Sequence, residues 1–85
     1  MYQVIIKREA LKELKQLPKR ISVTITFAIE GLAKEPRPHR CKKLKGSHAN
    51  LWRIRVGDYR VIYLIDDIVK VINVRNIGNR KDVYE

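Results

Sequence analysis

Gly57 and Asp58, near the middle of the chain, constrain its fold more than any other pair of residues. They lie between two runs with strand character, residues 51–56 and residues 59–65, both rich in β-branched and aromatic side chains. Glycine at the first central position suits a two-residue type II′ hairpin turn, because it adopts positive φ without a Cβ clash. Such a turn fixes the register. Val56 then faces Tyr59, Arg55 faces Arg60, and Ile54 faces Val61. Residues two apart share a face of a sheet, so Arg53, Arg55 and Arg60 are expected on one side. Trp52, Ile54, Val56, Tyr59, Val61 and Tyr63 are expected on the other, where helices can cover them.

The remaining elements follow from periodicity. Residues 2–6 are short, β-branched and bounded by charge, which reads as a first strand. Residues 8–17 change period, with Ala10, Leu11, Leu14 and Leu17 on one helical stripe, and Pro18 stops that helix. The next segment fits two patterns. Ile21, Val23, Ile25 and Phe27 alternate as in a strand, yet Ile21, Ile25, Ala28, Ile29 and Leu32 keep helical spacing. The run continues for about four turns at ~3.6 residues each without a turn signal, so length decides for a helix. Glu35-Pro36 ends it, since the residue before proline is pushed out of the α region.

Residues 35–50 read as a basic loop broken by Pro36, Pro38, Gly46 and Ser47, and a last strand spans 68–74 after the Asp66-Asp67 break. Residues 78–85 read as a polar tail, coil or a short helical turn. The expected architecture is one α+β domain over residues 1–85, in which an N-terminal strand and a two-helix hairpin precede a three-stranded antiparallel meander.

Nineteen Lys and Arg oppose nine Asp and Glu, leaving a net charge of +10. That surplus favours a polyanionic partner. No apolar run is long enough to span a bilayer, no signal-peptide pattern opens the chain, and the single cysteine, Cys41, forms no internal disulfide. These features point to a cytoplasmic location without membrane attachment. A chain of this size has a small core, so a tightly bound partner would add to its stability.

The arginine face admits two readings. Like charges directly across a strand pair are destabilising, and no acid lies within residues 51–56 to neutralise them. Either the guanidiniums splay into water, or the three cations converge on an anion, and their convergence on one hairpin favours the second. Arg40, Lys42, Lys43 and Lys45, just before the hairpin, extend the positive field as candidate nucleic-acid contacts. His39, Cys41 and His48 lack a fourth ligand and sit among cations that repel a metal, so no metal site is expected. No Walker loop, dinucleotide fingerprint or Ser/His/Asp arrangement occurs, and no cofactor is expected.

Leu44-Lys45-Gly46 and the stretch from Trp52 to Tyr63 resemble the centre of the RelE branch of RelE/ParE toxins. The closing Gly78-Asn79-Arg80-Lys81-Asp82-Val83-Tyr84 resembles that branch's C-terminal signature, Gly-His-Arg-x-Asp-Val-Tyr. The resemblance implies the toxin of a type II toxin–antitoxin pair that cleaves mRNA in the ribosomal A site. Its implied partners are the ribosome, mRNA and a small acidic antitoxin. It also implies catalytic roles for Arg53, Arg55, Arg60, Arg80 and Tyr84. Asn79 departs from the pattern by standing where many relatives carry histidine, so an imidazole base at that position is excluded. A non-enzymatic, ParE-like inhibitor of DNA gyrase is the alternative that the same resemblance leaves open.

Overall fold

The segment with two periodicities is a helix. The computed structural model describes residues 1–45 and 50–79, and within them α1 (Arg8–Lys15) and α2 (Lys19–Gly31) form the helical pair. Pro18 sits between them with extended backbone as the N-cap of α2. In α1, Ala10 and Leu14 are buried, while Leu11, expected on the same stripe, lies at its edge and is 38% exposed. In α2 the helical set wins: Ile25 and Ile29 are buried, followed by Leu32 just past the helix end. The residues that supported the alternating pattern, Val23 and Phe27, are left facing outward, 57% and 76% exposed.

A five-stranded mixed sheet carries the rest, in the order β1 (Gln3–Ile6), β5 (Val71–Asn79), β4 (Tyr59–Asp66), β3 (Leu51–Val56), β2 (Lys42–Lys43). The expected meander is its antiparallel core, β3 to β5. β1 joins it as a parallel neighbour of β5, with Gln3 opposite Val71 and Ile6 opposite Val74. Residues 42 and 43, read from sequence as loop, instead form the short edge strand β2 against Arg53 and Trp52. A two-residue, all-lysine strand has too little pattern to be seen in sequence, and its pairing is imposed by β3.

β5 also starts and ends later than its sequence suggests. Asp66 Oδ1 accepts hydrogen bonds from the backbone N–H groups of Ile68 (3.0 Å) and Val69 (3.1 Å), holding both in a turn. Lys70 completes that turn at φ 60. At its other end β5 runs on through Gly78 and Asn79, which the sequence reading placed in the tail. A register shift at Ile62/Tyr63 leaves Arg75 without a cross-strand partner. That bulge lets Val74 and Ile77, three apart, both face the core.

The core lies between the helix pair and one side of the sheet. Ile54, Val61, Tyr63, Ile72 and Val74 are fully buried there against Ala10, Ile25 and Ile29. β1 covers β5 only over residues 71–74. Beyond that point Glu13 of α1 takes over, its Oε1 accepting a hydrogen bond from the Ile77 backbone N–H at 2.9 Å. A side-chain carboxylate thus satisfies a donor that would otherwise need a further strand.

Candidate nucleic-acid interface

The hairpin has the register expected from its turn. Val56 pairs with Tyr59, Arg55 with Arg60, Ile54 with Val61 and Arg53 with Ile62. Gly57 has φ 61, and Asp58 is not among the positive-φ residues, as a type II′ turn requires. Arg53, Arg55 and Arg60 therefore share the side of the sheet turned away from the helices. Trp52, Ile54, Val56, Tyr59, Val61 and Tyr63 share the other side.

The three arginines differ in burial. Arg55 is exposed, whereas Arg53 is 5% and Arg60 8% exposed. A sheet face of fully solvated cations does not describe this arrangement. Across from Arg60 on β5 stands Gly78. Across from Ile62 stands the exposed Asn76.

Lys42 lies beside Arg53 because β2 pairs there. The result is a cavity of about 330 Å³ lined by Lys42, Lys43, Leu44, Lys45, Arg53 and Arg55. Five of those six side chains are cationic, so the cavity attracts an anion. Arg40 is not part of it. Although it was grouped with the three lysines by sequence proximity, Arg40 lines the surface beside Phe27 and Ala28, on the helical side of the molecule.

The approach to β2 is pinned from two directions. Tyr63 Oη donates a hydrogen bond to the Pro36 carbonyl at 2.7 Å. Burial, with Cys41 beside it, pushes the Tyr63 phenol well above its ordinary pKa, so it stays a donor. Arg37 donates to both oxygens of Asp67, through Nη2 at 2.8 Å and Nη1 at 3.3 Å, and its guanidinium lies 5.0 Å from the Trp52 ring centroid. Tyr2 Oη adds a third hydrogen bond to Asp67, at 2.6 Å. The Arg37 guanidinium and the Tyr2 hydroxyl hold the Asp67 carboxyl down at about 2. Asp67, read from sequence only as a turn residue, thus ties the first strand, the 35–41 connection and the β4–β5 turn together. Its partners are far away in sequence, and no local pattern announces them.

Asn79 lies opposite Tyr59, which places it on the helix-covered side rather than with the arginines. Arg80 and Tyr84, the two tail residues of the candidate site, lie outside the described residues, as do Gly46, Ser47 and His48. Among the described residues no group of three or more His, Cys, Asp or Glu is arranged to hold a metal ion. No helix among them is long and apolar enough to cross a membrane.

The chain is similar to known proteins over nearly its whole length. A family model described as the ParE toxin of type II toxin–antitoxin systems matches residues 4–84. A putative toxin RelE1 of Methanocaldococcus jannaschii is 35% identical, with 99% of this chain and 96% of that protein covered. Toxin RelE of Mycobacterium tuberculosis is 34% identical, with 98% of this chain and 86% of that protein covered. Among solved structures, a chain of the archaeal RelE–RelB complex from Pyrococcus horikoshii superposes with a TM-score of 0.83. It is 34% identical and covers 96% of this chain and 98% of its own.

Proposed function

The chain belongs to the ParE-type family of type II toxin–antitoxin toxins and is a toxin of the RelE kind; from that premise we propose that it cuts mRNA on the ribosome. The observation that carries this reading is the Arg55–Arg60 pair, directly opposed across the hairpin with Arg53 on the same face. Like charges held that close are costly to a sheet and useful to a phosphate.

In the proposed reaction the ribose 2′-oxygen loses its proton to a base and attacks the adjacent phosphorus. The bond from phosphorus to the 5′-oxygen breaks, and that oxygen takes up a proton. The products are a 2′,3′-cyclic phosphate and a 5′-hydroxyl. The demanding feature is negative charge accumulating on the phosphorane. Arginines fixed before substrate arrives stabilise that charge with little reorganisation, and burial of Arg53 and Arg60 strengthens the effect by lowering the local dielectric. Arginine is too weak an acid to carry the proton. We assign the base to Tyr84 and a further phosphate-neutralising cation to Arg80, as the resemblance to RelE toxins implies. The cavity formed by Lys42, Lys43 and Lys45 would track the flanking backbone. The ribosome would supply the alignment that an open face cannot.

The toxin's partner in this reading is a small acidic antitoxin. The RelE toxin of Pyrococcus horikoshii was crystallised with RelB, and RelE of Methanococcus jannaschii likewise. A chain with net charge +10 fits an acidic companion.

In vitro translation with the purified chain, followed by mapping of mRNA ends, tests the reading. Wild type is expected to leave cuts within translated codons, and Arg60→Ala to lose them, with circular dichroism checking that the buried position still permits folding. Intact mRNA together with blocked DNA supercoiling would replace the nuclease by the gyrase-binding alternative.

A further inference from the structure

Strand β5 changes partners halfway along. Its first half, residues 71–74, lies between β4 and β1. The last backbone bond on the β1 side runs from the Lys7 N–H to the Val74 carbonyl, at 2.9 Å. From Arg75 onward that edge carries no strand among the described residues, and the bulge falls at the same place. α1 begins directly after Lys7. Six helical residues advance ~9 Å and three strand residues ~10 Å, so α1 keeps pace with β5 and Glu13 arrives level with Ile77. Its carboxylate accepts the Ile77 N–H at 2.9 Å across 64 positions of sequence. Ile77 is buried, so without Glu13 its N–H must either reach water or go unsatisfied.

The half of β5 held this way is the half that borders the arginines. Gly78, next to Ile77, stands opposite Arg60, and Arg60 stands opposite Arg55, so the three form one row across three strands. Asn79 then leads into Arg80 and, four residues further, Tyr84. We infer that Glu13 is a positioning residue for the cleavage reaction. By holding Ile77 it fixes the edge of β5 beside Arg60 and the point from which Arg80 and Tyr84 depart. It touches no substrate in this role, because it acts from α1 through a backbone amide. The ladder to β4 secures this half of β5 on one side only, and a strand end paired on one side opens locally at low cost. A ~1 Å displacement of catalytic groups costs ~10²-fold in rate, so one lateral bond weighs more on cleavage than on the fold. The catalytic half of the inference rests on the proposed function; the hold of Glu13 on β5 does not.

Two substitutions and two measurements test it. Glu13→Ala removes the acceptor, and Glu13→Gln keeps an amide oxygen at the same reach. In the translation assay, with rates taken per folded molecule, Glu13→Ala is expected to lower kcat by ~10–100-fold. KM for programmed ribosomes should stay within ~3-fold, since no substrate contact is lost. Glu13→Gln is expected to restore kcat to within ~3-fold of wild type. Amide hydrogen exchange followed by NMR reads the bond itself. Ile77 should be protected in wild type and in Glu13→Gln and should lose ~10-fold or more in Glu13→Ala, while Ile72, under β1, keeps its protection. Glu13→Gln as damaged as Glu13→Ala, or Ile72 loosened together with Ile77, overturns the positioning role in favour of charge or of general stability. An unchanged kcat in Glu13→Ala overturns it as well. Wild type that leaves mRNA uncut sinks the nuclease and the catalytic half of the inference, while Ile77 protection lost only in Glu13→Ala upholds the hold on β5. Cut mRNA with an unprotected Ile77 amide in wild type does the reverse.

Discussion

The two sides of strand β3 show opposite uses of neighbouring residues. Trp52, Ile54 and Val56 turn toward the helices, where Ile54 is fully buried and Val56 nearly so. Arg53 and Arg55 turn away and line a cavity whose other charged residues are all lysines. The first set holds the fold together through burial of apolar surface, and the second gathers cations on one face. Apolar burial toward the helices and the cationic lining of the cavity are thus separated by a single step along the chain.

The sharpest way to break this comparison is to truncate adjacent residues on one strand. Arg55→Ala should lower ribosome-dependent cleavage by ~10²–10³, the loss typical of one charge-stabilising donor. Because Arg55 is exposed, its unfolding free energy should change by no more than ~0.5 kcal/mol. Equal loss of both quantities would mean that Arg55 is structural. Ile54→Ala should do the opposite, costing ~2–5 kcal/mol in urea denaturation while cleavage per folded molecule persists. Ile54 sits at the bottom of the core, with no exposed surface to relax toward.

A smaller effect is expected where the connection to β2 is anchored. Tyr63→Phe keeps the buried ring and deletes the hydrogen bond to the Pro36 carbonyl, so thermal unfolding should show a loss of ~0.5–1.5 kcal/mol. If Lys42 and Lys43 depend on that anchor for their place beside Arg53, salt-dependent binding of a short single-stranded RNA should weaken in the same variant. Unchanged RNA binding would separate the anchor from the cavity.

The mildest change concerns acid. The folded-state pKa of Asp67 is depressed to about 2, below the ordinary aspartate value of ~3.9. Its contribution is therefore fully present above pH ~4 and is lost as pH falls toward 2. Asp67→Asn should flatten stability across that window and leave it unaltered in slope near neutrality, as read from thermal melts at stepped pH. A wild type whose melts show no steeper slope there would remove the clasp's electrostatic role.

Much of the cationic face was legible in the sequence because a two-residue turn leaves no freedom of register. Once Gly57 adopts positive φ, alternation assigns Arg53, Arg55 and Arg60 to one side. The core stripes of α1 and α2 were legible for the same reason, since periodicity is a local property. Alternation failed in α2, where Val23 and Phe27 fitted a strand and became the outer face of a helix. Arg40 was misplaced by proximity. Three residues along from Arg37 and two before Lys42, it lies on the other side of the molecule from the lysines, because the chain crosses the sheet edge between them.

What the sequence by itself determined is the set of contacts fixed by short-range geometry: the hairpin, its register and the sign of charge on each side. Only the tertiary structure decided the parallel seating of β1 on β5, the Glu13 bond to Ile77, the clasp of Tyr2 and Arg37 on Asp67, and the burial of Arg53 and Arg60. Those contacts join residues as far as 68 positions apart, Gln3 and Val71. Such closures depend on how helices and sheet pack as bodies, and no local pattern encodes which side chain will meet which backbone group across that distance.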